Sequence, residues 1–371
     1  MQLPFADDLE VGYLSRLFDN TSECYKFFWF KAIVKKVLER KSVLTYEELI
    51  DEMISDAWYM VTEYHLNLGP KDTLERLVLY IKDHCTISHS EKKEKIIEYL
   101  RDCEDNEVKR QKRVLTLNVP YRLQAPFMPS MKGDEWKVSE SRLAEKINEI
   151  SQNNRLLYYF SKLNGMDSTI VIDPDWEQYI HKNQEIIKGW LQYNMILYLQ
   201  KRNPNVPGIS DKLVPPMERK HEKVKKYWKL LISIEPVREI YHDEIITSSD
   251  ISIDHFVPWS YVAHDEFWNL HPTTKSINSS KSNNLPEWDV YFPAFSRLEY
   301  FSYEMIHKYD KVHEEFDKCA REHINDPSVE LKLYGPGLSY EGFEQRLEEL
   351  VLPAYKSAVN CGFRDDWVYG K

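Results

Sequence analysis

Ile253-Asp254-His255-Phe256-Val257-Pro258, then Asn269, then Asn278-Ser279-Ser280-Lys281-Ser282-Asn283, is the stretch on which the reading of this chain turns. An Asp-His pair sits at the end of an apolar run, and an Asn-led polar cluster follows about a helix and a loop later. Residues 240–246 and 251–257 alternate apolar and polar positions around Ser248-Ser249-Asp250, which predicts an antiparallel β-hairpin or a longer looped pair. Pro258 should end the second strand. Residues 259–274 read as a loop, and 275–282 as a short helix stopped by Asn283-Asn284 and Pro286. The predicted order is strand, strand, loop, helix.

These residue types suit hydrolysis of a phosphodiester. That reaction needs a water made nucleophilic, a cation on the phosphate and a stabilised leaving oxygen. An imidazole titrates near neutral pH, so His255 can serve as general base. Asp254 is a hard oxygen ligand suited to Mg²⁺, and Asn278 offers a second oxygen without added charge. Neighbours on a regular strand point to opposite faces, so Asp254 and His255 serve one site only if the strand ends or bends there. On the helix, Asn278, Lys281 and Ser282 share a face, which lets Lys281 approach a phosphate. Taken singly each residue has a plainer reading. A lone His is more often structural, Asp254 could cap a strand, and 278–284 could be a helix stop. His264 and His271 read as loop-packing or solvent-facing. Order and spacing together favour the catalytic reading.

With Trp268-Asn269-Leu270 between them and Asn284-Leu285-Pro286 after them, these motifs resemble an HNH endonuclease domain of the ββα-metal fold. The nearest layout is the Asp-His…Asn…Asn-x-x-Lys-Ser pattern in the HNH domain of CRISPR RNA-guided nucleases. The resemblance covers roughly residues 235–290, and 190–229 also resembles the segment preceding the domain in bacterial HNH proteins. It implies that His255 activates water, that Asp254 and Asn278 hold Mg²⁺ (or Mn²⁺), and that Asn269 holds the loop through backbone hydrogen bonds. Many such domains are stapled by zinc in C-x-x-C pairs. No Cys lies between Cys103 and Cys319, so no structural zinc is expected. Phe256, Val257, Trp259, Trp268, Leu270, Ile277 and Leu285 are the candidates to hold the fold by packing.

Composition constrains the setting. At 42% hydrophobic and 29% charged, the 371 residues form cores and suit two or three domains. The 24 Tyr and 10 Trp are best read as core-fillers, with base stacking open to only a few of them. A net charge of -11 is unlike a chain that holds nucleic acid tightly by itself, so either a local basic patch or a partner supplies affinity. The patch candidate is Arg219, Lys220, Lys223 and Lys226, which also reads as a solvated helix face. Five scattered Cys suggest reduced thiols in a cytoplasmic protein. The first residues are acidic, unlike a signal peptide, and no apolar run approaches a membrane span.

The expected fold class is α+β, predominantly α-helical, with the ββα unit embedded between helical regions. Residues 1–202 form a helical recognition or partner-binding region, opened by a stripe of Phe27, Phe28, Phe30, Ile33, Val34 and Val37 and a Thr45/Glu48 capping box. Residues 170–172 read as a short strand, and 176–199 as one long helix. Pro204, Pro207, Pro215 and Pro216 mark 203–232 as a Pro-rich linker with a basic helix. The nuclease-like domain is 233–295, and 296–371 returns to helix, with Ser339 as a cap. The expected function is cleavage of DNA with one divalent metal, in anti-phage defence or restriction. Cleavage of RNA is one alternative. A non-catalytic adaptor that works with a protein partner such as a defence ATPase is another. Self-association into a homo-oligomer is left open.

Overall fold

Helices carry most of the chain in a computed structural model that describes residues 2–215 and 221–370. The strands among those residues form two small antiparallel sheets, so the fold is α+β and mostly helical. No helix is long and apolar enough to cross a membrane. Contacts divide the chain into two units, Met1–Pro204 and Asn205–Lys371.

The first unit is built on α1 (Tyr25–Leu38), whose Phe27, Phe28, Phe30, Ile33, Val34 and Val37 are all buried. After β1 (Val43–Thr45), the Thr45 side chain accepts from Glu48 N while Glu48 accepts from Thr45 N, and this capping box opens α2 (Tyr46–Thr62). The sheet has the order β1-β3-β2, with β2 (Tyr158–Lys162) and β3 (Thr169–Ile172) pairing antiparallel. The apolar run at 170–172 is thus the central strand. The helix expected over 176–199 is two helices, α3 (Pro174–Lys182) and α4 (Gln184–Arg202). Asn183 divides them, because its side chain donates to Tyr179 O (3.0 Å) and closes the first.

In the second unit, α5 (Glu222–Ile234) lies against β4 (Ile251–His255). The predicted first strand does not form the hairpin. Residues 237–246 fold on themselves through Glu239 N to Glu244 O and Ile246 N to Val237 O (both 2.9 Å), with Asp243 at positive φ near the tip. The partner of β4 is β5 (Leu270–Thr274), from the stretch expected to be loop, in the register Asp254↔His271 and Ile253↔Pro272. Both faces of β5 are buried, so it shows no alternation. Pro272, which cannot donate to a ladder, disguised it further. The expected helix follows directly as α6 (Lys275–Lys281), capped by Thr274.

The remaining scaffold is α7 (Trp288–Lys308), α8 (Asp310–His323) and α9 (Tyr340–Asn360), the last capped by Ser339. Phe256 stacks on Phe295 at 4.4 Å, beside a Trp288–Phe292 stack at 4.3 Å. Phe256, Val257, Trp268, Leu270, Ile277 and Leu285 are buried in this one core, and Trp259 is half-buried. The segments 205–232, 233–295 and 296–371 share that core. The chain leaving α6 is clasped from far downstream: Leu285 N donates to Arg364 O (2.8 Å) and Glu287 N to Trp367 O (3.0 Å).

Candidate active site

Strand β4 delivers Asp254 and His255 to different surroundings, as pleating requires. Asp254 is 4% exposed. Lys281 Nζ, 0% exposed, lies 3.3 Å from its Oδ1 and 3.2 Å from its Oδ2, and Tyr241 donates to Oδ2 at 2.8 Å. Burial pushes the Asp254 carboxyl up, but the charge of Lys281 and the Tyr241 hydroxyl outweigh it and hold it below the usual range. The same burial lowers the Lys281 ammonium against the pull of Asp254. Lys281 also donates to the His255 carbonyl at 2.7 Å. In this conformation the ammonium is therefore closed off from solvent and from any phosphate there.

Asn278 stands one turn before Lys281 on α6. Its Nδ2 donates to Ser252 Oγ (2.9 Å) and Ile253 O (3.0 Å), which fixes the amide and turns Oδ1 the other way. Asn269 is buried beneath the site. Its Oδ1 accepts from Val257 N (2.8 Å) and its Nδ2 donates to Val257 O (2.9 Å), so one amide side chain pairs both backbone groups of Val257, just past the end of β4.

His255 Nε2 lies 2.7 Å from Asp265 Oδ1. His221 Nε2 lies 3.2 Å from Asp265 Oδ2, and the His323 ring meets the Asp265 carbonyl at 3.0 Å. Burial raises the Asp265 carboxyl, and the contacts and charges of His221 and His255 overcome this and hold it far below the ordinary range. Asp265 is thus anionic at neutral pH and orients the His255 ring. Nothing in the sequence marked Asp265 or His221, since a lone loop Asp and a His at the edge of a basic run carry no pattern. Tyr241 looked like an ordinary apolar position of a strand. His271, expected in the loop, is instead fully buried on β5. Neither of its ring nitrogens has a hydrogen-bond partner among the described residues, and burial lowers it to about 3. It is neutral at physiological pH.

The basic run is divided. Arg219 and Lys220 lie outside the described residues. Lys223 pairs with Glu322 and Lys226 with Glu315 (2.9 Å), both on α8. Each pair is exposed, so water screens it and either lysine can change partner at small cost.

Asp254 and Asn278 supply hard oxygen ligands, the set a small divalent cation takes. Lys281 shows that this place is already built for positive charge, because a buried ammonium touches the Asp254 carboxylate there. The residues fit a divalent ion once that ammonium moves aside.

This arrangement of a short antiparallel pair, a following helix and an Asp-His…Asn…Asn set defines a class. Residues 237–287 match the HNH endonuclease family, and the chain carries an HNH endonuclease domain there. The family implies a nuclease that binds nucleic acid and uses divalent metal ions. No curated protein and no solved structure matches the chain.

Proposed function

We propose that this chain is a DNA endonuclease in which Asp254 and Asn278 hold Mg²⁺ or Mn²⁺ and His255 is the general base. The observation that supports it most is the buried cation place bounded by both residues of the Asp-His pair: Lys281 touches the Asp254 carboxylate and the His255 carbonyl together. The cation place therefore lies at the end of β4, and the His255 ring projects from the same point of the strand on its opposite face. In the neutral ring that donates Nε2–H to Asp265, the lone pair sits on Nδ1, which takes the proton from the attacking water. A divalent ion on Asp254 and Asn278 would offset charge gathering on the phosphate and its leaving oxygen. Asn269 keeps the end of β4 and the following turn in place, so that the base stays oriented. Lys281 retreats from Asp254 and can then meet a phosphate, and Arg219, Lys220, Lys223 and Lys226 supply contacts to the backbone of the substrate. The net charge of -11 supports a requirement for a protein partner, such as a defence ATPase. The setting we propose is anti-phage defence or restriction in the cytoplasm.

The test is digestion of supercoiled plasmid and of matched RNA in Mg²⁺, Mn²⁺ or EDTA. Nicking or linearisation should need the metal and fall by about 10²–10⁴-fold in His255→Ala. Absence of cleavage of either substrate, or an undiminished variant, overturns the reading. Cleavage of RNA alone moves it to an RNA substrate.

A further inference from the structure

On the other side of β4 from Lys281, three ligand atoms converge without belonging to the Asp254–Asn278 pair. One ring nitrogen each of His221 and His255 and an Asp265 carboxylate oxygen all lie within 4.8 Å of one another. They come from three separate places: the residue just before α5, the end of β4, and the loop ahead of β5. His221 is 9% exposed, and its Nε2 is buried with no hydrogen-bond partner among the described residues. Its 3.2 Å approach to Asp265 Oδ2 is an ion-pair contact. A buried imidazole nitrogen aimed at a carboxylate and left unsatisfied costs free energy unless something else occupies the space.

We propose that His221, His255 and Asp265 form a site for a divalent transition metal such as Zn²⁺, distinct from the oxygen site at Asp254 and Asn278. Zinc bonds of about 2.1 Å in a tetrahedron place ligand atoms about 3.4 Å apart. The contacts of 2.7 and 3.2 Å are a little shorter than that spacing and no pair in the set exceeds 4.8 Å, so small side-chain shifts suffice. Two imidazoles and one carboxylate select Zn²⁺, Co²⁺ or Ni²⁺, whereas carboxylate and amide oxygens suit Mg²⁺ and Mn²⁺. The His323 contact to the Asp265 carbonyl holds the loop that presents the third ligand. On binding, the proton that His255 Nε2 donates to Asp265 moves to Nδ1 or to solvent, and the metal takes the lone pair left on Nε2. One consequence rests on the proposed function: metal held by His255 immobilises the base, so Zn²⁺ arrests cleavage that Mg²⁺ supports.

The experiment uses the full chain, stripped of metal and titrated with Co²⁺ and then Zn²⁺, without nucleic acid. The proposal expects one Co²⁺ with weak ligand-field bands and no sulfur-to-cobalt charge transfer, displaced by one Zn²⁺. Paramagnetically shifted N–H signals should count two imidazoles. His221→Gln and Asp265→Asn should each weaken binding at least tenfold, and His313→Gln, at an exposed imidazole on α8, should leave it within about threefold. Melting curves in EDTA establish that the variants are folded. If neither variant folds, the wild-type N–H count decides. No binding, a thiolate band, no shifted imidazole signals, or folded variants that bind as wild type overturns the site, as does an equal loss in His313→Gln. Because binding is read apart from cleavage, an inactive protein that binds Co²⁺ refutes the nuclease and not the site.

Discussion

Lys281 and Asp254 form a salt bridge that neither shares with water: the ammonium is fully buried, 3.2 Å from a carboxylate that is itself almost entirely covered. Removing one member of such a pair leaves an uncompensated charge in the interior. Lys281→Met should cost about 3–5 kcal/mol in EDTA, a fall in Tm of roughly 10 °C. If the ammonium and a divalent ion compete for Asp254, millimolar Mn²⁺ should restore more of the Tm in this variant than in the wild type. Equal metal responses in thermal melts would show that the two cations do not share the place.

Asn269 pairs both backbone groups of Val257, and alanine would leave a buried N–H and a buried C=O without partners. Asn269→Ala should destabilise the unit by about 3 kcal/mol. Asn269→Asp keeps the acceptor and loses the donor, so denaturant melts should rank it between alanine and the wild type.

The acid side of the stability curve should carry a His271 signature. Its folded value is about 3 against about 6.5 unfolded, so the unfolded chain binds the extra proton between those limits. Stability from this residue is complete above pH 6.5 and falls as pH drops toward 3. The pH dependence of wild type minus His271→Leu should therefore slope between pH 6.5 and 4 and flatten above 7. A flat difference throughout would mean that His271 is not buried neutral.

Tyr241→Phe deletes one hydrogen bond to a buried carboxylate and little else. At pH 7 it should cost about 1.5–3 kcal/mol by chemical denaturation. A change below about 0.5 kcal/mol would mean that Lys281 alone satisfies Asp254.

Much of the site was legible because its residues lie close together in the chain. Asp254, His255, Asn269 and Asn278 were singled out by order and spacing, in the stretch that matches the HNH endonuclease family, and α6 by its stop at Asn283-Asn284 and Pro286. The β5 strand was not legible, since Pro272 and burial on both faces removed the alternation that betrays strands. Asp265 and His221 were hidden for another reason. Their contacts exist only where the residue before α5 and the loop ahead of β5 meet the end of β4, and short-range sequence pattern does not encode such meetings. Lys281 was found on the right face of α6, but only packing could show that its charge turns inward.

The clasp of Leu285 and Glu287 by Arg364 and Trp367 bears on when the site is finished. Trp367 stands perpendicular to Tyr241 at 5.0 Å, and Tyr241 is the hydroxyl donor to Asp254. A ribosome delivers these residues in order, so Asp254, His255 and Asn278 emerge long before the tail that braces them. A nascent chain that has not yet reached Trp367 carries Asp254, His255 and Asn278 but lacks the ring that packs against Tyr241 behind Asp254. The surroundings of Asp254 are therefore complete only once residues 364–367 have joined the core.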